Sequence, residues 1–205
     1  MKTVRVFLLK TETVEPFRQT ILDLVSRERA EKALRYKREA DRLLSLGGAW
    51  LMQHFVGATH CDENGKPRAE SVRFNISHSG DLVGIALCDD EEVGLDIEQR
   101  VPRAENLVSY CLTEPEKAAC TAGMPFPDLY VAKESLGKAE GGGLSRGIRE
   151  IPALPVEGRV DYAERTFYRH MVPAEGYSVS VTLENEDFKV ELQWLDDIGR
   201  YMHKT

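Results

Sequence analysis

The segment Val93-Gly94-Leu95-Asp96-Ile97-Glu98 carries two acidic residues two positions apart. In an extended chain alternate side chains share a face. Leu95 and Ile97 therefore turn one way, and Asp96 and Glu98 the other. Two carboxylates that close repel each other unless something positive lies between them. A hard divalent cation such as Mg²⁺, which takes oxygen ligands, would serve. The plainer reading is an amphipathic strand with a solvated acidic face. Farther along, Lys133-Glu134-Ser135-Leu136-Gly137-Lys138 reads as helix, and Glu134 and Lys138, four apart, share one side of it. They are either a weak surface ion pair, or a third metal carboxylate or base beside a lysine that contacts phosphate.

Two more segments could do chemistry. In Asn75-Ile76-Ser77-His78-Ser79-Gly80 a histidine stands between two serines. Such a histidine can hydrogen-bond an anion or act as a base; otherwise it is a turn residue with local partners. A Ser–His hydrolase is disfavoured, because no Gly-x-Ser-x-Gly elbow occurs. Residues 27–42 hold seven basic side chains (Arg27, Arg29, Lys32, Arg35, Lys37, Arg38 and Arg42) against Glu28, Glu31, Glu39 and Asp41. Glu28/Lys32 and Glu31/Arg35 fit a solvated helix. The alternative is a docking site for phosphates or for an acidic protein. Gly141-Gly142-Gly143 is not a phosphate-binding Walker loop, since no Gly-Lys-Ser/Thr follows it; it reads as a helix stop.

The elements that must position these residues follow from pattern. Residues 4–9 alternate as a half-buried strand. Residues 16–56 look helical, with Ser26 as a cap and Gly47-Gly48 marking a kink or a close helix contact. Asp62-Glu63-Asn64-Gly65-Lys66-Pro67 is loop by composition. Residues 74–77, 82–88 and 92–98 read as strands, the last two as an antiparallel hairpin turning at Asp89-Asp90-Glu91. Thr113 and Glu116 fit a capping box. Asp128 is placed to cap a helix that runs to about Glu140 and ends at the glycines. Residues 165–171, 177–183 and 188–194 are strands. The order suggests a duplicated α+β unit.

Composition narrows the classes. The 205 residues make one ordinary domain or two small ones, and 42% are apolar, enough for a real core. The formal net charge is −7, which argues against nucleic acid or an anionic membrane as partner. No apolar run approaches the ~18–20 residues that span a bilayer. Val4-Arg5-Val6-Phe7-Leu8-Leu9 is too short and too charged for a secretory signal. The four cysteines show neither metal-ligand spacing nor a disulfide framework, so reduced thiols in the cytoplasm are expected.

Taken together, in this order, the motifs resemble those of the 4′-phosphopantetheinyl transferases, of the longer monomeric type. The likeness covers residues 65 to 138. It rests on Gly65-Lys66-Pro67, Phe74-Asn75-Ile76-Ser77-His78-Ser79-Gly80, Gly94-x-Asp96-x-Glu98, Thr113 to Glu116, and Lys133-Glu134-Ser135-x-x-Lys138. Tyr130 stands where the family usually has Trp, and Leu112 where Phe is usual. Gly137 lies inside the expected helix at a cost of about 1 kcal/mol against Ala.

The resemblance implies two similar α+β halves, 1–101 and 102–205, packed as a pseudo-dimer with coenzyme A in the cleft between them. It implies transfer of the phosphopantetheine arm of coenzyme A to a serine of an acidic apo carrier protein, releasing adenosine 3′,5′-bisphosphate. By match, Asp96, Glu98 and Glu134 would hold Mg²⁺, with Mn²⁺ as the alternative. Lys66, Ser77, His78 and Lys138 would contact coenzyme A. Lys32, with Arg29, Arg35, Arg38 or Arg42, would lie near its phosphates. Glu134 or a metal-bound water is the expected base, with Lys133 assisting. A monomer is expected. The rival readings are a Mg²⁺-dependent phosphohydrolase and a non-catalytic relative that binds coenzyme A or the carrier.

Overall fold

A β-strand whose apolar residues fall on both sides, and not on one as in the half-buried strand expected over residues 4–9, must find cover for both faces. In the computed structural model, which describes residues 1–62, 66–143 and 147–202, β1 (Lys2–Lys10) does so. It pairs antiparallel with β5 (Leu82–Cys88) and parallel with β10 (Phe188–Trp194). With β4 (Arg73–Ser79) these form a four-stranded sheet in the order β10-β1-β5-β4. A second sheet has the order β6-β9-β8-β7, from β6 (Gly94–Gln99), β7 (Gly158–Tyr162), β8 (Arg165–Met171) and β9 (Tyr177–Leu183). A small hairpin, β2 (His60–Cys61) with β3 (Pro67–Arg68), stands apart. Gly65, and Glu63 and Asn64 of the expected loop, lie outside the described residues.

The helices are α1 (Thr11–Val14), α2 (Arg18–Leu24), α3 (Arg27–Arg35), α4 (Glu39–Phe55), α5 (Glu105–Cys111), α6 (Glu114–Thr121), α7 (Phe126–Glu140) and α8 (Gly199–Met202). The mixed α+β class expected from sequence holds. Alternation sorts β1 between two cores. Phe7 and Leu9 pack with Leu46, Trp50 and Leu51 of α4. Val4, Val6 and Leu8 pack with Leu95, Ile97, Val179 and Val181 of the second sheet. The layers thus run helix, sheet, sheet, helix, with α7 covering the outer face of the second sheet through Leu136 and Ala139.

Local signals hold where no distant strand competes. Ser26 Oγ accepts the Arg29 amide, and Thr113 and Glu116 form the capping box that starts α6. Gly141 ends α7 in the left-handed region. Asp128 lies within the first turn of α7 and does not cap it. The helix α4 runs unbroken through Gly47-Gly48, because Gly47 marks close packing on Val83 of β5.

The expected hairpin of residues 82–88 with 92–98 does not form. Both edges of β5 are already taken, by β1 and β4, so β6 crosses to the second sheet and pairs with β9. The hairpin partner of β5 is β4, turning at Gly80-Asp81. Each sheet consequently takes one strand from across residue 101: β6 joins the later strands, and β10 joins β1. Among the described residues no helix is long and apolar enough to cross a membrane.

Candidate active site

The strand β6 divides its side chains as alternation requires. Leu95 and Ile97 enter the core between the sheets, while Asp96 and Glu98 face the side covered by α7. Gly94 lets the α7 backbone lie directly on β6, with Ser135 and Ala139 against it. Helical spacing then brings Glu134 and Lys138 over the carboxylates.

The contacts are specific. Lys138 Nζ lies 2.7 Å from Asp96 Oδ1, and also donates to the Leu95 carbonyl at 3.1 Å and to Ser77 Oγ at 3.3 Å. Ser77 Oγ donates to the same Asp96 oxygen at 2.8 Å. Glu98 accepts Ser79 Oγ at 3.0 Å on one oxygen and the Arg103 guanidinium on the other. Burial pushes the Glu134 carboxyl above the usual carboxylate range, the Asp96 charge adds to this, and Lys138 and the Tyr130 hydroxyl oppose it. Burial and the neighbouring Glu134 likewise raise the Tyr130 phenol.

These side chains line a cleft of about 320 Å³ with Ser77, His78, Asp96, Glu98, Glu134 and Lys138 in its wall. Ile76 also lines two adjoining cavities. One, about 310 Å³, is walled by Arg29, Lys32, Tyr36, Asp41 and His78. The other, about 290 Å³, is walled by Lys66, Pro67, Phe74 and Lys138. Together they make a groove with three carboxylates at one end and cations at the other.

The structure brings together most of the residues expected from sequence, but not all. Lys133 does not reach the groove. It is fully buried on the opposite side of α7, 2.8 Å from Glu116 Oε1 and bonded to the Ile151 carbonyl. Adjacent helical residues point about 100° apart, so Glu134 can face the groove only if Lys133 faces the core. Arg35 and Arg38 are exposed and do not line the groove; Arg35 lies 3.9 Å from Glu31. Lys66 does line it, with Glu92 at 3.2 Å. Sequence reasoning missed Arg103 and gave Tyr130 no role. Arg103 had no local signal, and Tyr130, one turn before Glu134, could have been read from helical spacing.

The donor set of Asp96, Glu98 and Glu134 is all carboxylate oxygen, the chemistry a hard divalent cation takes. The Asp96 charge, which adds to burial in raising the Glu134 carboxyl, fits such an ion. Among the described residues, however, no three His, Cys, Asp or Glu side chains are gathered into a ready metal cage, because Asp96 turns to Lys138 and Glu98 to Arg103.

Comparison with known proteins bears on this arrangement. The family model of the 4′-phosphopantetheinyl transferase superfamily matches residues 92–190, the stretch that carries Asp96, Glu98, Glu134 and Lys138. The chain belongs to this superfamily. It is 30% identical over 164 residues to the 4′-phosphopantetheinyl transferase psf-1 of Bacillus pumilus, an alignment covering 69% of this chain and 66% of that protein. It is 35% identical over 104 residues to the 4′-phosphopantetheinyl transferase AcpT of Salmonella typhi, covering 45% of this chain and 54% of the relative. To AcpT of Escherichia coli O157:H7 it is 36% identical over 91 residues, 39% of this chain and 47% of the relative. The chain thus matches about half the length of the AcpT relatives. The superfamily match gives the acidic strand and α7 a shared context, whereas β4 and α3 lie outside the family model.

Proposed function

We infer that this chain transfers the 4′-phosphopantetheine arm of coenzyme A to a serine hydroxyl of an acidic apo carrier protein, releasing adenosine 3′,5′-bisphosphate. The observation that carries this is the Lys138–Asp96 contact beside Glu134, at the carboxylate end of a groove whose other end is cationic.

The residues divide the work by charge. Arg29, Lys32, His78 and Lys66 line the stretch suited to the nucleotide phosphates and the adjoining arm. Lys138 offers an ammonium at the reacting phosphate, where negative charge grows as the bond to the leaving group lengthens. Asp96, Glu98 and Glu134 would hold Mg²⁺ or Mn²⁺, which when bound neutralises charge on the pyrophosphate. The serine oxygen of the carrier forms a bond to the β-phosphorus. The bond from that phosphorus to the bridging oxygen breaks, and its electrons leave with the bisphosphate. The hydroxyl proton passes to Glu134, which stands in the wall of the cleft with Asp96 and Lys138. Lys133 has no part in this scheme.

The organisation into halves 1–101 and 102–205 is kept as a proposal, with β6 and β10 exchanged between their sheets. So are a monomeric state and a cytoplasmic location, the second supported by four free cysteines. An acidic carrier is supported by the seven basic residues of 27–42.

The test is to incubate the protein with coenzyme A, Mg²⁺ and an apo carrier and weigh the carrier by mass spectrometry. A gain of one phosphopantetheine arm is expected, abolished by chelator and by Asp96→Ala. Bisphosphate release without carrier would instead indicate a phosphohydrolase. Coenzyme A binding without any gain across several carriers would indicate a non-catalytic relative.

A further inference from the structure

The two sheets meet at their edges, β4 of the first and β6 of the second, with no backbone ladder between them. An edge strand leaves a row of amides without backbone partners. Here that row is met by side chains. Asn75 Oδ1 accepts the Leu95 amide at 3.1 Å, Ser77 Oγ the Ile97 amide at 3.2 Å, and Ser79 Oγ the Gln99 amide at 3.1 Å. The three acceptors alternate along β4, and the three donors alternate along β6 at a constant offset of 20 positions. The intervening Ile76 and His78 face the groove.

A serine hydroxyl has one proton and two lone pairs. In both serines the lone pair takes an amide of β6 and the proton goes to the carboxylate one residue earlier: Ser77 to Asp96 at 2.8 Å, Ser79 to Glu98 at 3.0 Å. One atom thus fixes the strand register and aims the carboxylate. Each hydroxyl engages a single oxygen of its carboxylate, Oδ1 of Asp96 and Oε2 of Glu98.

We propose that Asn75, Ser77 and Ser79 form a side-chain seam that docks β6 on β4, and that Ser77 and Ser79 are positioning residues which orient the Asp96 and Glu98 carboxylates for the metal ion. The orienting role rests on the metal reading above. Ser79 is the clean probe, because it lies outside the wall of the carboxylate cleft and touches Glu98 and Gln99 alone among the contacts just described.

The experiment compares Ser79→Ala and Ser79→Thr with the wild type in three measurements: Mn²⁺ binding by electron paramagnetic resonance of the free ion, the KM for coenzyme A, and amide exchange at Gln99. Ser79→Ala is expected to weaken Mn²⁺ binding about tenfold, as loss of an outer-shell partner does. The KM should hold within about twofold, Gln99 exchange should quicken, and Ser79→Thr should restore both binding and protection. Mn²⁺ binding by Ser79→Ala as tight as the wild type's would overturn the orienting role, and unchanged Gln99 exchange would overturn the seam. A Thr variant as defective as the Ala variant would show that packing, not the hydroxyl, is responsible. Should Ser79→Ala not fold, Ser79→Cys makes the same comparison at similar size. Failure of the metal reading itself would look different, since the wild type would then bind no Mn²⁺ while Gln99 exchange would still judge the seam.

Discussion

Gly94 and Ser135 meet backbone to backbone: a β-carbon on Gly94 would stand 1.9 Å from the Ser135 carbonyl oxygen and 2.7 Å from the Ala139 amide nitrogen. Neither atom belongs to a side chain that could swing away. Gly94→Ala must therefore lift α7 from β6, and with it Glu134 and Lys138 from Asp96. The expected cost is about 3 kcal/mol, toward the upper end of overpacking changes, read as a lower urea midpoint together with loss of transfer. A variant as stable as the wild type would mean that the helix does not rest on this strand as described.

What the sequence could tell about this site depended on period. The two-residue period of β6 separated Asp96 and Glu98 from Leu95 and Ile97, and the helical period of α7 put Glu134 and Lys138 together; both separations hold. Pairing over long distances was not legible. A three-residue turn between residues 88 and 92 is a strong local signal for a hairpin, yet β5 had no edge left to offer. Only the full topology shows this. The parallel pairing of β1 with β10, near the two ends of the chain, has no local signature either. Lys133 misled for a related reason. A charged residue in a motif reads as a solvent-facing group until its partner, Glu116 on another helix, is known. Gly137 reads as a defect of α7 from propensity alone. In place it admits the Gly143 carbonyl, 2.6 Å from where a β-carbon would lie.

The basic stretch makes a graded prediction. Lys32 lines the cationic cavity, whereas Arg35 and Arg38 do not. Lys32→Ala should raise the KM for coenzyme A about tenfold with little change in kcat, the loss of one charge-assisted contact. Arg35→Ala and Arg38→Ala should stay within about twofold, as exposed charges do. Equal effects at all three positions would point to a diffuse field and not a lined site.

Lys138 is held by three oxygens, of Asp96, Ser77 and Leu95. Lys138→Met keeps most of the stem but removes the ammonium. The expected result is a fall in kcat of about 100-fold, the scale seen when one group that stabilises developing charge is lost. Binding of coenzyme A, followed by calorimetry, should weaken much less. Loss of binding with an unchanged rate for the bound complex would make Lys138 a ground-state contact only.

The buried pair Lys133–Glu116 supplies the last prediction, and it separates fold from chemistry. Glu116 accepts the amides of Thr113 at 2.8 Å and Ala153 at 2.8 Å besides the Lys133 ammonium. Burial alone would raise the Glu116 carboxyl, but Lys133 and those two amides outweigh it and hold the group below its ordinary value of 4.5. The native state then binds fewer protons than the unfolded chain, so this stabilisation is present above about pH 4.5 and drains away as pH falls through the lower native value. Lys133→Met strips the main counter-charge from a buried carboxylate and should cost about 3–5 kcal/mol. It should also reverse this pH dependence, because burial then lifts the native carboxyl above its unfolded value, so that protonation on acidification favours the folded state. Adding Glu116→Gln should recover much of the stability and remove that pH dependence. Throughout, transfer per folded molecule should stay near the wild-type rate, since neither side chain reaches the groove. A Lys133→Met protein that is fully folded yet inactive would return Lys133 to the catalytic role its place in the motif suggests.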